Sequence, residues 1–236
     1  MAAKSVLIVG ANRGIGYNLV KAFVGESWDV TGTVRPQTRA DKDPSLTAPE
    51  LEKTGAKILE IDYLDEATIE RAAAAWGDKH LDMLINLGGL SPDPKPWQEQ
   101  SADMMVEKFR VMAVGPLLTI KHFLPKLEKA SDAKIVNVSS SFGSISTNSF
   151  GTCMAYRVAK AAPNQGAVTM AREWEMEGRK VTMVCIEPGF LSTRLTGWDG
   201  EDDMDTCIAG MMKLFTALTP EDHGAFLKWD GTKIPF

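Results

Sequence analysis

The chain begins with a short apolar run, Ser5 to Val9 (SVLIV), that meets the glycine-rich turn Gly10-Ala11-Asn12-Arg13-Gly14-Ile15-Gly16 and passes at once into a helix-like pattern. A strand, a glycine turn and a helix in immediate succession open a βαβ unit, because glycine alone lets the backbone turn so sharply between them. The rest of the sequence keeps that rhythm. DVTGTV, AKILEI, LDMLIN, AKIVNVS and KVTMVCI follow as short, nearly continuous apolar runs, separated by segments long enough for crossover helices. Strands apolar on both faces belong in a sheet covered on both sides.

These runs predict an α/β fold: a Rossmann-type, doubly wound parallel sheet of about seven strands with helices on both faces, forming a single domain over residues 1–236. There is no internal repeat and no long Gly/Ser linker. The least regular stretches run from Arg35 to Pro49, Ser91 to Trp97 and Leu191 to Asp205, and are expected as surface loops.

Such a glycine turn suits a pyrophosphate, which can approach the bare backbone and meet the free N–H groups at the helix N-terminus. A dinucleotide is therefore the expected ligand. The second strand ends at Val34-Arg35, where NAD-binding chains commonly place an acid for the ribose hydroxyls, and Arg13 lies inside the glycine turn. Two cations there favour a ribose 2′-phosphate, hence NADP over NAD. Asp62, at the end of the third run, is in place to accept from an adenine amino group.

A net charge of −5 supplies no basic field for nucleic acid or an anionic membrane, which leaves small-molecule chemistry. Cys153, Cys185 and Cys207 are odd in number and widely spaced, so they suggest neither a disulfide framework nor a metal site. A reducing, cytoplasmic setting fits them. The apolar run at the N-terminus is too short for a signal segment or a membrane span.

With these residues placed, the chain resembles the one-domain form of the short-chain dehydrogenase/reductase family from Ser5 to about Thr193. Asn86-Leu87-Gly88-Gly89 looks like the family's NNAG motif, Ser139-Ser140-Ser141 like its strand-five serine motif, Tyr156 with Lys160 like YxxxK, and Glu187-Pro188-Gly189 with Thr193 like the PG motif. The ending FLKWDGTKIPF is similar to tails of fungal members and of the group near the C-factor and carbonyl reductases. The resemblance implies Ser140, Tyr156 and Lys160 as catalytic residues. For the cofactor it implies Gly10, Asn12, Arg13, Gly14, Ile15, Gly16, Arg35, Asp62, Asn86, Gly88, Tyr156, Lys160, Pro188, Gly189, Leu191 and Thr193. A second YxxxK, Tyr17 with Lys21, has no serine strand before it and is read as structural.

The expected chemistry follows from acidity. Free tyrosine has a pKa of about 10, so its anion needs a nearby cation to form at neutral pH. Residues at i and i+4 share a helix face, which puts Lys160 beside Tyr156. Tyr156 would then protonate a carbonyl oxygen while hydride from NADPH reaches the carbon, with Ser140 holding the oxygen. Met112 in FRVMAVGP stands where the family places an asparagine that supports a water in the proton relay, a role a thioether cannot fill. Pro163 predicts a kink in the catalytic helix. Ser140 and Tyr156 are sixteen positions apart, longer than the family's usual spacing, so residues 148–151 are expected to bulge.

Leu90, Trp97, Phe142, Phe150, Met154, Phe190 and Trp198 are the expected substrate wall, suited to a flat or aromatic ligand. The segment of about 190–215 is the expected substrate loop, either a lid or a solvated turn leading to a packed helix. Helices from about Ser101 to Lys129 and Ala155 to Glu177 imply, by resemblance, a homodimer or homotetramer. The leading functional reading is NADPH-dependent reduction of a ketone or aldehyde, such as an aromatic or polycyclic secondary metabolite. The alternatives are a non-redox dehydratase, isomerase or cyclase on the same fold, and a catalytically silent NADP-binding regulatory protein.

Overall fold

The computed structural model of the protein describes residues 3–40 and 48–236. Seven strands form one sheet: β1 (Ser5–Val9), β2 (Asp29–Val34), β3 (Lys57–Glu60), β4 (Met83–Asn86), β5 (Ala133–Val138), β6 (Val181–Glu187) and β7 (Phe226–Lys228). Their spatial order is β3-β2-β1-β4-β5-β6-β7, and every neighbouring pair is parallel. The order reverses between β1 and β4, so a crevice opens at the carboxyl ends of those two strands. The glycine turn lies at that point.

Among the described residues eight α-helices connect the strands: α1 (Gly14–Gly25), α2 (Pro36–Ala40), α3 (Ala48–Lys53), α4 (Glu66–Trp76), α5 (Ala102–Phe109), α6 (Gly115–Leu127), α7 (Met154–Glu177) and α8 (Met204–Ala217). Alternation along β1 shows how they divide. Val6 and Ile8 belong to a core with Leu19, Phe23, Met211 and Phe215, which is the α1/α8 face. Leu7 and Val9 belong to a core with Ile69, Phe123, Ala167 and Trp174, which is the α4/α6/α7 face. Both faces of each central strand are thus buried, the physical reason these runs lack a polar alternation.

Two of the expected loops carry more order than the sequence indicated. Residues 36–40 and 48–53 are the short helices α2 and α3, while residues 41–47 lie outside the described residues. Within 191–205, a 3-10 turn forms at Arg194–Thr196, and α8 then buries Cys207, Ile208, Met211 and Phe215. From Met204 onward the segment is a packed helix, the second of the two expectations for it. No helix among the described residues is long and apolar enough to cross a membrane.

Pro163 does not break α7, which runs through it from Met154 to Glu177. Proline forfeits one intrahelical hydrogen bond, and burial offsets that loss. Pro163 is buried, and its carbonyl accepts from Cys185 Sγ at 3.8 Å. By contrast, α5 and α6 are joined by a π-helical turn at Arg110–Val114, in which the Gly115 N–H reaches back five residues to the Arg110 carbonyl. Pro116 lacks the N–H that would close on the Met112 carbonyl, so the usual ladder fails at Met112.

Candidate active site

The glycine turn has the geometry its composition predicts. Gly10 and Gly14 have φ of 88° and 53°, in the left-handed region. A Cβ on Gly16 would stand 2.3 Å from the Gly10 carbonyl oxygen, and one on Gly10 would stand 3.0 Å from the Gly88 nitrogen. Backbone therefore packs on backbone where β1 and β4 diverge. Arg13 is the N-cap of α1 and makes no side-chain capping bond, which leaves the first N–H groups of a twelve-residue helix facing the turn.

Three arginines surround this point. Burial first, then the neighbouring Arg194 and Arg35 guanidinium groups, hold Arg13 below the ordinary arginine range. Among the described residues the arginine ion pairs are those of Arg39, Arg172 and Arg179, so these three cations have no carboxylate partner. Such a set is balanced by an anion of the size and charge of a phosphate. Sequence reasoning missed Arg194. Its signal was adjacency to Thr193, whose methyl group lies 3.4 Å from a Cβ built on Gly14.

Asp62 lies two residues past β3 and is buried. Its carboxylate already accepts from Leu64 N–H at 2.9 Å and from Gln37 Nε2 at 3.2 Å. Asn86 ends β4, donates to Asn137 Oδ1 at 2.9 Å and accepts from the Tyr63 hydroxyl at 3.1 Å. It ties β4 to β5 beneath the crevice. A Cβ on Gly88 would meet the Tyr63 ring at 2.6 Å, so this glycine is required by close approach. Pro188, Leu191 and Thr193 are buried after β6, and Gly189 turns with φ of 96°.

Ser140, Tyr156 and Lys160 converge at the carboxyl ends of β5 and β6. Of the three serines, Ser140 alone acts on the Tyr156 phenol, and its Oγ accepts from Phe142 N–H at 3.2 Å. Ser139 is buried and turns to the Lys160 carbonyl, while Ser141 is exposed. Lys160 Nζ donates to the Val138 carbonyl at 2.8 Å and lies 5.8 Å from the centroid of the Tyr156 ring. Tyr17 and Lys21 form their own contact on α1, with Nζ 5.0 Å from the ring centroid, outside this constellation.

Electrostatics in the protein alone differ from the spacing argument. Burial pushes the Tyr156 phenol up to about 12; the neighbouring Ser140 hydroxyl opposes the rise, and Glu187 and Cys153 add to it. Burial likewise pushes Lys160 down to about 8, with Cys185 raising it slightly. Desolvation outweighs the i,i+4 neighbour, so an accessible phenolate needs a further positive charge at the site.

Met112 is buried against Tyr156, Cys153 and Ala159. A Cβ built on Gly89 would have Leu195 Cδ1 at 3.5 Å, Met112 Sδ at 3.8 Å and Lys160 Nζ at 4.0 Å. Three segments therefore meet at Gly89. The expected substrate wall occupies loops at the same edge of the sheet: Leu90 and Trp97 after β4, Phe142 and Phe150 after β5, Met154 at the start of α7, and Phe190 and Trp198 after β6. Trp97, Phe150, Met154, Phe190 and Trp198 are exposed, and Leu90 and Phe142 are half-buried. An open groove of about 770 Å³ lies elsewhere, between α1 and α8, and contains none of the catalytic candidates.

Fold and site together define an α/β protein whose topological switch point is built for a dinucleotide, with a Ser-Tyr-Lys group beside it on the loop after β5 and on α7. Residues 4–203 match the family model described as short chain dehydrogenase, and the chain belongs to that family of oxidoreductases. It is 29% identical to the short-chain dehydrogenase srdF of Neurospora crassa over 98% of this chain and 97% of that one. Among solved structures it superposes on the NADPH-bound carbonyl reductase from chicken fatty liver with a TM-score of 0.87 and 29% identity, each chain covered in full. The carbonyl reductase Sniffer of Drosophila melanogaster gives 0.88 and 27%, again with full coverage of both chains.

Proposed function

We propose that the protein is an NADPH-dependent reductase of a ketone or aldehyde, with Tyr156 as general acid, Ser140 as the donor that holds the substrate oxygen, and Lys160 as the cation beside them. The nearness of Ser140 to Tyr156 carries this reading, because two neutral O–H donors side by side suit one prospective substrate oxygen. The bound nicotinamide supplies the hydride and, once oxidised, a positive charge. Arg13, Arg35 and Arg194, which have no carboxylate partner among the described residues, support the choice of NADP over NAD, as does the NADPH held by the chicken enzyme.

The residues have separate tasks. Tyr156 gives its proton to the developing alkoxide, and the ordinary alkoxide is basic enough to take it even from a phenol of high pKa. Ser140 stays protonated and stabilises the charge on oxygen as it forms. Lys160, pushed down to about 8, is mostly protonated at neutral pH and is in place to favour the phenolate left behind. Met112 does not forbid a water relay from Lys160. Pro116 withholds its donor from the Met112 carbonyl, and on this reading that carbonyl serves the relay in place of the side chain.

The exposed aromatic side chains on three loops support a flat, apolar carbonyl compound, such as an aromatic or polycyclic metabolite. Residues 190–203 form the approach to this pocket, and α8 anchors the segment to the core. Carbonyl compounds offered with NADPH should be turned over with one NADPH oxidised per alcohol formed, and Tyr156→Phe should remove that turnover while leaving NADPH bound. Product formation without nucleotide oxidation would instead favour a dehydratase, isomerase or cyclase.

A further inference from the structure

Arg157 has no acidic partner among the described residues, and none of the steps above uses it. It is nonetheless buried, at 9% exposure. Its Nε donates to the carbonyls of Gly151 at 2.9 Å and Thr152 at 3.0 Å. Its guanidinium carbon lies 4.1 Å from the Phe142 ring centroid and 4.7 Å from that of Phe150. Nη2 is buried and finds no partner among the described residues. A cation held so, with a donor unsatisfied, is kept for its shape and reach rather than for pairing charge.

The contacts lead to the reacting groups. Phe142 donates its N–H to Ser140 Oγ and lies edge-on to Tyr156 at 6.0 Å. Gly151, Thr152 and Cys153 have φ of 71°, 61° and 51°, three successive left-handed residues that lead directly into α7. Such a conformation is strained for cysteine and more so for β-branched threonine, and it persists only where surrounding contacts over-determine it. Arg157 Nε is the donor shared by the first two carbonyls of that turn. The long Ser140-to-Tyr156 segment thus returns to the helix through a turn fastened by the residue next to the catalytic tyrosine.

We propose that Arg157 is a positioning residue: by fastening the turn Gly151–Cys153 and stacking on Phe142 and Phe150, it sets the Ser140 hydroxyl against the Tyr156 phenol and seats Phe150 in the substrate wall. The inference rests on the assignment of Ser140 and Tyr156 as the reacting pair. Its mode of action is geometric. Arg157 is not among the groups that shift the Tyr156 phenol, whereas Ser140 is. Lysine should therefore be a poor replacement, because it keeps the charge but loses the planar fork and the flat stacking surface.

The test compares Arg157→Lys, Arg157→Ala and Tyr156→Phe in the full chain, reading kcat, KM, NADPH affinity by fluorescence and thermal melting. Both Arg157 variants should lose on the order of tenfold or more in kcat, with NADPH affinity held within about twofold. Added guanidinium ion should restore part of the kcat of Arg157→Ala. Wild-type kcat in Arg157→Lys would overturn the proposal, as would a loss in both variants that matches their loss of folded, NADPH-binding protein. If Tyr156→Phe remains active, the assignment of the reacting pair fails first. If Tyr156→Phe is inactive and Arg157→Lys is not, only the positioning role fails.

Discussion

Lys160 sets activity against stability, and Lys160→Met measures the exchange. Burial holds the ammonium down to about 8 against its ordinary 10.5, a gap equivalent to about 3 kcal/mol of charge burial. Between these values the unfolded chain keeps the proton that the folded protein has released, so unfolding free energy rises with pH across that window. Below pH 8 both states are protonated, and the whole cost stands. Methionine fills similar space without charge, but it leaves the Val138 carbonyl without its 2.8 Å donor. An unsatisfied buried acceptor costs about 1–2 kcal/mol. Lys160→Met should therefore be more stable than wild type by about 1–2 kcal/mol at neutral pH. That advantage should shrink and reverse between pH 8 and 10.5. Urea unfolding of both apoproteins at several pH values gives the difference directly, and residues common to both cancel. A difference that does not change with pH would refute the reasoning, because it would mean that Lys160 titrates as an exposed lysine.

Arg35→Asp should weaken NADPH binding by about 2–3 kcal/mol while barely affecting NADH, and equal losses for both nucleotides in fluorescence titrations would remove the 2′-phosphate assignment. Ser140→Ala should lower kcat on the order of a hundredfold. Ser139→Ala and Ser141→Ala should cost much less in the same steady-state assay, because Ser139 is turned to the Lys160 carbonyl and Ser141 is exposed. Met112→Asn should change kcat by less than about threefold if the main-chain carbonyl serves the relay, whereas a tenfold gain would show that the side chain limits proton supply.

The sheet was legible because a strand buried on both faces writes its burial into local composition: SVLIV, AKIVNV and VTMVCIE are apolar on both parities. β7 left a weaker mark, since Phe226–Lys228 is three residues long and its place beside β6 is a long-range fact. The glycine turn was legible for the same local reason, as a positive φ or a close approach at a named position demands glycine. Arg194 was not, because its meaning comes from nearness to Arg13, far away in sequence.

The acidity of Tyr156 shows the same limit from the other side. Spacing reported the lysine on the same helix face but could not report how deeply the phenol lies, and depth dominates. Pro163 stands inside α7 without ending it, and its burial there is a tertiary fact. The π turn at Met112 could have been found from Pro116 four residues later, had the missing donor been followed back to its acceptor. Arg157 was hidden among the unassigned positions of YRVAK, because its partners come from the folded segment between β5 and α7: the left-handed turn and two phenylalanines.

The central claim is that this site passes hydride from NADPH to a carbonyl carbon while Tyr156 protonates the oxygen. Its most direct measurement uses NADPH deuterated at the transferable position of the nicotinamide, a carbonyl compound that the protein turns over, and mass analysis of the product. The alcohol should carry one deuterium on the former carbonyl carbon, matched to the NADPH consumed, and none should form with Tyr156→Phe. Unlabelled product formed while NADPH remains intact would contradict the claim.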